Sequence, residues 1–465
     1  MSTSQQLAFQ SLTLFNFTDC SRHRRYFVNF PADPYADSYP KLLPPRADAS
    51  SAGVYPPYSD EWKAKTNEKR KRIAGIDQVE LLHPELLADP DSRFCDFNGV
   101  RIHYKVCDAA ESQSHDSELP AASFAKLDFP FILLHGFGAS VFSWSRAMKP
   151  LAQLTASKVV AFDRPAFGLT SRDFSFANSS PTPDDGSRSL NPYSIAFSTL
   201  ATLYFVDLLK ARTAILVGHS AGSLVAVNSY FEAPERVAAL ILVSPAIFAP
   251  LLVDNSVEGF YSGRSKKIEG EASYSKALAN LSRPIFEILS KIITFVFQKT
   301  LQMVKGVINV LNLLFKKALS AIIRSAIGVL LIRMAIDKFG LAAIRNAWFD
   351  PNQVTERTIT GYTKPLRVRG WDKALAEFTA ATLANVDALS KSPLSKRLRE
   401  ISCPVLIVTG DTDRIVPSWN ARRLAQALPS SHLEVIKDCG HLPHEEKVEE
   451  FVSVVEEFLQ RAFGG

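Results

Sequence analysis

Short apolar runs recur along two parts of the chain, each bounded by residues that favour turns. Runs of this length that are rich in β-branched residues predict buried strands. Before them, residues 93–106 contain two short β-type stretches on either side of an Asn-Gly pair at 98–99, which predicts a β-hairpin. The predicted buried strands cover residues 129–134, 158–162, 214–217, 238–243, 404–409 and 432–436.

Segments with helical character separate these strands, at residues 144–153, 195–210, 221–230, 418–428 and 446–463. Strands that alternate with helices predict an α/β fold, in which a mostly parallel central sheet is flanked by helices on both faces. In such sheets the active residues lie at the carboxyl ends of the strands. We therefore expect the functional side chains in the turns that directly follow the strands.

The alternation divides the chain into three kinds of segment. Residues 1–90 have no sustained period and form an N-terminal extension that we expect to be largely irregular. Residues 91–244 and 403–465 carry the alternation and form the predicted core. Residues 245–402 interrupt it, and we expect them to form a helical cap or lid.

Polar residues within the cap recur at spacings of three, four or seven, which places them on one stripe of a long helix. The other positions are apolar, and nearly all the charges are positive, so residues 284–338 form a basic amphipathic segment. Charges interrupt it too often for a helix that spans a membrane. Two interpretations stay open: a lid on the core with Gly306 and Gly328 as bends, or a helix lying in a membrane interface. The stripe comprises Glu287, Lys291, Gln298, Gln302, Lys305, Asn309, Asn312, Lys316, Ser320 and Arg324.

Composition limits the possible functions. The chain has 465 residues, a net charge of +6 and a pI near 8.9. This basic excess is too small to indicate nucleic-acid binding. The five cysteines have no paired spacing, which favours a reducing compartment and indicates neither a zinc site nor a disulfide framework. We expect no cofactor and no metal, and the oligomeric state stays open.

The first thirty residues contain one acidic residue, Asp19, together with several arginines, serines and threonines. This composition is typical of an organellar transit peptide and equally of a disordered tail, so both interpretations stay open. The first predicts a chloroplast protein. The alternative is a cytoplasmic or membrane-associated protein.

A nucleophile motif follows the strand at 214–217, where residues 218–222 have the sequence Gly-His-Ser-Ala-Gly and lead into a helix. A nucleophile on such a sharp turn adopts a strained backbone, so the residues two positions away must be small. Gly218 and Gly222 meet this demand, and Ala221 is nearly as small. Ser220 is therefore the candidate nucleophile.

Two further motifs also follow predicted strands. Residues 410–417 have the sequence Gly-Asp-Thr-Asp-Arg-Ile-Val-Pro, and residues 438–441 have the sequence Asp-Cys-Gly-His. A serine hydroxyl needs a base to remove its proton, and the base needs a third group that fixes its tautomer. The chain order of serine, acid and histidine resembles the α/β-hydrolase superfamily over most of residues 93–463, apart from the cap.

The resemblance implies a catalytic triad. In this sequence it assigns Ser220 as the nucleophile, His441 as the general base and Asp413 as the acid. The family's acid loop is similar to residues 410–417, and its second Asp is the triad member, which favours Asp413 over Asp411.

The resemblance also implies an oxyanion hole. The His-Gly-Phe-Gly sequence at 135–138 is similar to the family's loop, so the backbone N–H groups of Phe137 and Ala221 are the expected donors. His135 is expected to be structural, and Asp163 is expected to belong to a turn after a strand. Ala166 stands where relatives often have Gly.

Residues 131–172 and the N-terminal extension look like those of plant-type hydrolases, some of which are plastid proteins that act on lipophilic esters. The apolar cap favours such a substrate. We expect a serine hydrolase that cleaves a carboxylic ester of a lipophilic substrate through an acyl-enzyme, with peripheral membrane contact through residues 284–338. The alternatives are a carbon–carbon bond hydrolase with the same triad, and a non-catalytic receptor for a small molecule or lipid.

Overall fold

The computed structural model describes residues 72–79, 81–108, 129–172, 190–248, 275–385 and 394–464. The predicted transit peptide lies outside these residues. Eight strands form one sheet in the order β1-β2-β4-β3-β5-β6-β7-β8. The strands are β1 (Arg93–Phe97), β2 (Val100–Cys107), β3 (Phe131–Leu134), β4 (Val159–Phe162), β5 (Ala214–His219), β6 (Val237–Val243), β7 (Val405–Gly410) and β8 (Ser431–Ile436).

Strand β2 runs antiparallel to both of its neighbours, and every other pair in the sheet is parallel. All residues of β3, β4, β5 and β7 are buried, because helices cover both faces. The β1–β2 turn has positive φ angles at Asn98 (47°) and Gly99 (74°), as the hairpin prediction requires. The predicted α/β architecture is confirmed.

Eleven α-helices lie within the described residues. Helix α2 begins where the Ser194 hydroxyl accepts a hydrogen bond from the N–H of Phe197, a standard N-cap. The helices are α1 (Met148–Thr155), α2 (Ile195–Leu208), α3 (Gly222–Glu232), α4 (Ser275–Arg324), α5 (Ala326–Ala347), α6 (Glu356–Thr363), α7 (Trp371–Asn385), α8 (Leu394–Arg397), α9 (Ser418–Ala427), α10 (Pro443–Glu446) and α11 (Val448–Phe463).

The helices enclose one apolar core on each face of the sheet. On one face, Phe162 of β4 stacks on Phe205 of α2, with ring centroids 4.6 Å apart. On the other face, Trp144 and residues of α1 and α11 pack against β3 and β6. In α11, Val448, Phe451, Val455, Phe458 and Leu459 are buried, which matches the helical spacing of the sequence.

Helices α4–α8 lie between β6 and β7 in the chain and include a single helix of 50 residues, α4. Gly306 lies within this helix and does not interrupt it. The helical path is interrupted at Ser325, whose hydroxyl accepts a hydrogen bond from the N–H of Gly328 and caps α5. Of the two predicted bends, the one at Gly306 is wrong, because a single exposed glycine weakens a helix without ending it. Gly328 lies at the interruption, where a Cβ atom would approach the carbonyl oxygens of Ile322 and Ile323 to 2.3 Å.

Residues 72–79 and 81–90, the described part of the predicted extension, contain little regular structure, yet they pack on the cap. A two-residue hairpin joins Arg72–Ile73 to Ile76–Asp77, and Leu82 bridges to Val368. The N–H of Ala74 donates to Asp337 of α5 at 2.9 Å. The extension therefore reaches the cap through specific contacts that its composition did not predict.

One described helical stretch, Thr294–Arg324 of α4, is long and apolar enough to cross a membrane by length and composition. By length and composition alone, the charges in this stretch do not exclude a spanning helix, contrary to the expectation from the sequence. Only Lys299 and Lys305 are charged between Lys291 and Lys316.

Candidate active site

Ser220 lies at the sharp turn between β5 and α3. Its φ angle is +50°, a left-handed conformation that a serine adopts only when its surroundings enforce it. The Ser220 N–H donates to the carbonyl of Val243 at 2.8 Å, which ties the turn to β6. A Cβ atom at Gly218 would approach the backbone of Ser223 to 2.6 Å, and one at Gly222 would approach the Leu134 carbonyl oxygen to 2.2 Å. Both glycines are therefore required by close packing.

The histidine and the acid meet across two loops. The Nδ1 atom of His441 lies 2.7 Å from Oδ2 of Asp413, and both side chains are buried. The second carboxylate oxygen of Asp413 accepts hydrogen bonds from the N–H groups of Ile415 and Val416, each at 2.8 Å. These two bonds fix the carboxylate, which in turn orients the imidazole with Nε2 free of the acid.

The structure separates the two acids of the loop. Asp411 contacts the loop that follows β8, where its carboxylate accepts a long hydrogen bond of 3.4 Å from the N–H of Cys439. Among the described residues, Asp413 is the carboxylate that bonds the His441 ring. The turn that carries Ser220 lies against this pair, because the neighbouring His219 ring is 4.8 Å from the His441 ring and its Nε2 meets the His441 carbonyl at 3.1 Å.

The expected oxyanion loop lies against the nucleophile turn. A Cβ atom built on Gly136 would be 3.1 Å from Cβ of Ser220, so glycine permits this approach. Phe137 follows on the loop, and Ala221 is the residue from which α3 starts. The two residues expected to supply N–H donors are thus on the two segments that flank Ser220.

His135 is a structural residue in this arrangement. Its Nδ1 lies 2.8 Å from the carbonyl of Gly136, and its Nε2 accepts a hydrogen bond from the N–H of Arg164 at 3.0 Å. Burial, together with the charge of Arg164, lowers the pKa of His135 to about 4. The ring is therefore neutral at physiological pH and links the oxyanion loop to the turn after β4.

Asp163 holds the turn after β4. Its carboxylate accepts hydrogen bonds from the N–H groups of Val141 (2.6 Å) and Leu169 (2.7 Å) and meets Nδ1 of His103 at 2.7 Å. Burial favours a higher pKa, but the pairing with His103 and these donors outweigh it, and the pKa of Asp163 is lowered. His103 also contacts the Ser92 hydroxyl at 2.8 Å.

The same turn explains a departure from the family pattern. Ala166 has a φ of +78°, a conformation that favours glycine, which gives a physical reason for the glycine often found there in relatives.

A buried polar cluster behind the site was not predicted from the sequence. The His444 ring lies 4.6 Å from the His219 ring and 4.1 Å from that of Trp144. Its nitrogens have no hydrogen-bond partner among the described residues, and Glu445 is too distant from it at 3.9 Å. Burial and the neighbouring His441 lower the pKa of His444 to about 3. No sequence signal distinguished His444 from an ordinary residue at a helix start.

Glu445 was missed for the same reason. It accepts a short hydrogen bond from the hydroxyl of Tyr362, which lies on α6 of the cap. Burial raises the pKa of Glu445 to about 8. This contact joins the cap to the segment that follows His441. The two residues are 83 positions apart in the chain, so no local sequence pattern predicts the contact.

Aromatic side chains lie next to the expected oxyanion loop. Phe137, Phe167 and Phe378 of α7 form a cluster with ring-centroid distances of 4.8–6.0 Å. Phe137 is 55% exposed, so the cluster borders solvent. The guanidinium of Arg164 lies 5.5 Å from the Phe167 ring and 6.0 Å from the Phe378 ring.

Arg164 is a third residue of interest that the sequence did not reveal. It is 4% exposed, and its Nε and Nη2 atoms have no hydrogen-bond partner in the described part of the chain. Burial lowers the pKa of Arg164 to about 10, which leaves it charged at neutral pH. A buried cation with free donors can bind an anionic group.

The described residues support neither a metal site nor a thiol nucleophile. Within the described ranges, no group of three or more His, Cys, Asp or Glu side chains is arranged to hold a metal ion. Burial raises the pKa of the Cys439 thiol well above its usual value, which disfavours a reactive thiolate beside His441.

The fold and the nucleophile turn together define an α/β hydrolase. The sequence profile of the Alpha/beta hydrolase family matches residues 131–454, and the chain belongs to this family.

Several known proteins are similar to this chain. A dihydrolipoyllysine-residue acetyltransferase component of the acetoin cleaving system of Cupriavidus necator is 29% identical over 180 residues, 38% of this chain and 37% of that protein. The chain thus spans only about a third of that relative's length. A 2-hydroxy-6-oxo-6-phenylhexa-2,4-dienoate hydrolase of Comamonas testosteroni is 23% identical over 338 residues, 71% of this chain and 87% of that protein.

A crystal structure of a meta-cleavage product hydrolase from Pseudomonas fluorescens is also similar. It has a TM-score of 0.45 at 17% identity and covers 80% of this chain and 98% of its own.

Proposed function

We propose that this protein is a serine hydrolase that cleaves a carboxylic ester of a lipophilic substrate. The observation that carries the proposal is the 2.7 Å contact between His441 and Asp413, beside a serine held at a φ of +50°. A structural histidine rarely needs a dedicated buried carboxylate next to a strained serine, whereas a general base does.

The proposed reaction proceeds in two steps. His441 takes the hydroxyl proton of Ser220 as its oxygen attacks the ester carbonyl, and the N–H groups of Phe137 and Ala221 bind the oxyanion. The proton then goes to the leaving alcohol, which leaves an acyl-Ser220 intermediate. A water activated by His441 releases the acid and restores the serine. Asp413 holds His441 in the required tautomer throughout.

The aromatic cluster at the site supports a lipophilic substrate. Phe137, Phe167 and Phe378 offer apolar area on the oxyanion side, and pockets lined in this way favour apolar groups. A series of p-nitrophenyl esters tests this point. We expect kcat/KM to rise from acetyl to medium-chain acyl groups, and a preference for acetyl over every longer chain would contradict the proposed substrate class.

A fluorophosphonate probe tests the nucleophile directly. We expect covalent labelling of the wild-type protein and none of Ser220→Ala. Ser244→Ala is the matched control, because Ser244 is a buried serine at the end of β6 with a comparable φ of +43°. It should label like the wild type. An unlabelled wild-type protein would overturn the serine-hydrolase proposal in favour of a non-catalytic receptor.

Arg164 favours a second candidate, a carbon–carbon bond hydrolase with the same triad. Such an enzyme converts a ketone R–CO–CH2–R′ and water into RCOOH and CH3–R′. One relative is named as the hydrolase of a dienoate, which is a carboxylate. The buried guanidinium of Arg164, with two nitrogens that have no partner among the described residues, is suited to bind an anion of this kind.

Competing substrates distinguish the two candidates. A ring-fission product bearing a carboxylate is compared with a neutral ester on wild-type protein and on Arg164→Gln. If the protein is a carbon–carbon bond hydrolase, the ring-fission product is the better substrate. Arg164→Gln then raises the KM for the ring-fission product without changing the KM for the ester. If the protein is an ester hydrolase, the ester is the better substrate, and the wild-type protein and Arg164→Gln hydrolyse it equally well.

A chloroplast location and a plant-type origin stay predictions. The residues that carry the transit-peptide pattern lie outside the described ranges. Import of the full chain, fused to a fluorescent protein, into isolated chloroplasts tests the location.

A further inference from the structure

Residues 294–315 of helix α4 have little of the described part of the chain packed against them. Every residue from 294 to 315 is exposed. At about 1.5 Å per residue this stretch is roughly 33 Å long. Many of its apolar residues are strongly exposed, and those exposed by at least 55% include Phe297, Met303, Val307, Leu311, Leu314 and Phe315. An apolar surface of this size is rare on a soluble monomer and marks an interaction site.

The arrangement of this surface is amphipathic. Lys291, Gln298, Lys305, Asn309 and Lys316 recur at spacings of seven, seven, four and seven, so they share one narrow stripe. Apolar side chains occupy most of the rest of the circumference, whereas Lys299 and Lys317 lie about 100° from the stripe. The next helix extends the apolar surface, since Ile327, Leu330, Leu331 and Met334 of α5 form an exposed stripe with helical spacing.

The charges identify the occupant. Between residues 288 and 336 the chain has no acidic residue. A second copy of this helix would bring like charges together, whereas an anionic lipid surface complements them. The cations of α4 after residue 288 are Lys291, Lys299, Lys305, Lys316, Lys317 and Arg324.

The position of Lys305 decides the orientation. The part of a spanning helix inside the bilayer would have to lie between Lys291 and Lys316. Lys305 would then lie close to the bilayer centre, where a charge is costly. A helix lying in the plane of the interface keeps the lysine stripe among the head groups and buries the apolar residues. We infer that α4, with the adjoining stripe of α5, docks this protein on the surface of an anionic lipid bilayer.

The docked helix adjoins the candidate active site. The Arg324 Nε lies 2.8 Å from Oε2 of Glu377, and the Ser320 hydroxyl meets the carbonyl of Ala380 at 3.5 Å. Both partners belong to α7, which also carries Phe378 next to Phe137. The C-terminal end of the docked helix is therefore connected through α7 to the aromatic cluster that borders the site. The docking inference itself does not depend on the proposed reaction.

Vesicle flotation tests the inference with the full-length chain. Vesicles are made of phosphatidylcholine alone, or with phosphatidylglycerol at about 3:1. We expect the wild-type protein to float with the anionic vesicles, to float less with the neutral ones, and to be partly released as salt rises from about 0.1 to about 0.5 M. Wild-type protein that stays unbound with both vesicles would overturn the inference.

A variant of the apolar surface separates lipid burial from charge. Val307→Ser, Leu311→Ser and Leu314→Ser, combined in one chain, remove side chains that contact little protein, so folding should be unaffected. We expect their bound fraction to fall about tenfold or more. Flotation equal to that of the wild type would contradict the docking surface.

The matched control carries the same number of serines on the polar stripe of the same stretch, as Gln298→Ser, Gln302→Ser and Asn309→Ser. It should float like the wild type, and a loss equal to that of the apolar variant would overturn the assigned orientation.

Two further outcomes would overturn the inference. Wild-type protein that resists extraction by alkaline carbonate would indicate a spanning helix. Wild-type protein that forms dimers, ignores vesicles and becomes monomeric in the apolar variant would indicate a second copy as the occupant. Ser220→Ala should float normally and fail only in labelling, so a failure of docking and a failure of the proposed reaction are distinguishable.

Discussion

His441 and Asp413 are 28 residues apart in the chain, yet Nδ1 of one lies 2.7 Å from Oδ2 of the other. The contact forms because β7 and β8 are adjacent parallel strands, so the loops that follow them share one edge of the sheet. The carboxylate has no freedom to turn away, since its second oxygen is held by two backbone N–H groups.

This geometry predicts the effect of Asp413→Asn. The amide oxygen takes the place that faces the N–H groups of Ile415 and Val416, so the NH2 group faces Nδ1 of His441. Nδ1 must then accept, which puts the ring proton on Nε2 and removes the lone pair that Ser220 needs. We expect kcat on p-nitrophenyl esters to fall by about 10³–10⁴-fold with little change in Tm.

Asp411→Asn is the control for this prediction. Among the hydrogen bonds described, the Asp411 side chain accepts a single long one, from the N–H of Cys439. Because this bond does not involve His441, kcat should stay within about tenfold of the wild type. A larger loss in Asp411→Asn than in Asp413→Asn would reverse the assignment of the acid.

Gly136→Ala tests the oxyanion loop. The new Cβ would lie 2.9 Å from Nδ1 of His219 and 3.1 Å from Cβ of Ser220, so the loop must move away from the nucleophile. Loss of one oxyanion donor costs about 3 kcal/mol, and we expect kcat to fall by about 100-fold. Steady-state kinetics beside a thermal melt separates this effect from unfolding.

Gly138→Ala is a suitable comparison. It lies on the same loop at a φ of +73°, but its Cβ meets nothing within 4 Å. It should lower stability by about 1 kcal/mol and leave kcat nearly unchanged. Equal loss of kcat in the two variants would argue against a specific role for the approach of Gly136.

The turn after β4 allows opposite predictions at two neighbouring positions. Ala166→Gly relieves a φ of +78°, and we expect the free energy of unfolding to rise by about 1 kcal/mol. Gly168→Ala places a Cβ 1.9 Å from the Asp163 carboxylate and should lower the free energy of unfolding by several kcal/mol. Denaturant unfolding measures both, and a stabilised Gly168→Ala would show that the carboxylate is free to move.

Glu445 makes stability depend on pH. Burial raises its pKa to about 8 from 4.5, so the folded protein keeps the carboxyl protonated where the unfolded chain ionises it. Unfolding then releases a proton, and the stabilisation present below pH 4.5 is lost as the pH rises towards 8. The slope is at most about 1.4 kcal/mol per pH unit.

Glu445→Gln keeps a hydrogen-bond acceptor for Tyr362 and cannot ionise. Thermal melts across this range should show that the variant gains stability relative to the wild type as the pH rises. Parallel curves for the two proteins would contradict a buried, protonated Glu445.

Local sequence was informative where function depends on short spacing. Ser220 could be found because its turn demands small residues at 218 and 222, and the Asn98-Gly99 turn because both residues adopt positive φ. Arg164, His444 and Glu445 could not be found in this way. Their significance depends on burial and on partners in distant segments, which no local pattern records.

The sequence by itself determined the alternation of strands and helices, the nucleophile turn and the amphipathic pattern of the long helix, because each depends on the periodicity or the backbone freedom of adjacent residues. Only the tertiary structure decided that Asp413 rather than Asp411 meets His441, that α4 leaves its apolar surface exposed, and that Tyr362 of the cap bonds Glu445. These relationships depend on which strands become neighbours and which surfaces remain uncovered, and both are settled only when the whole chain packs.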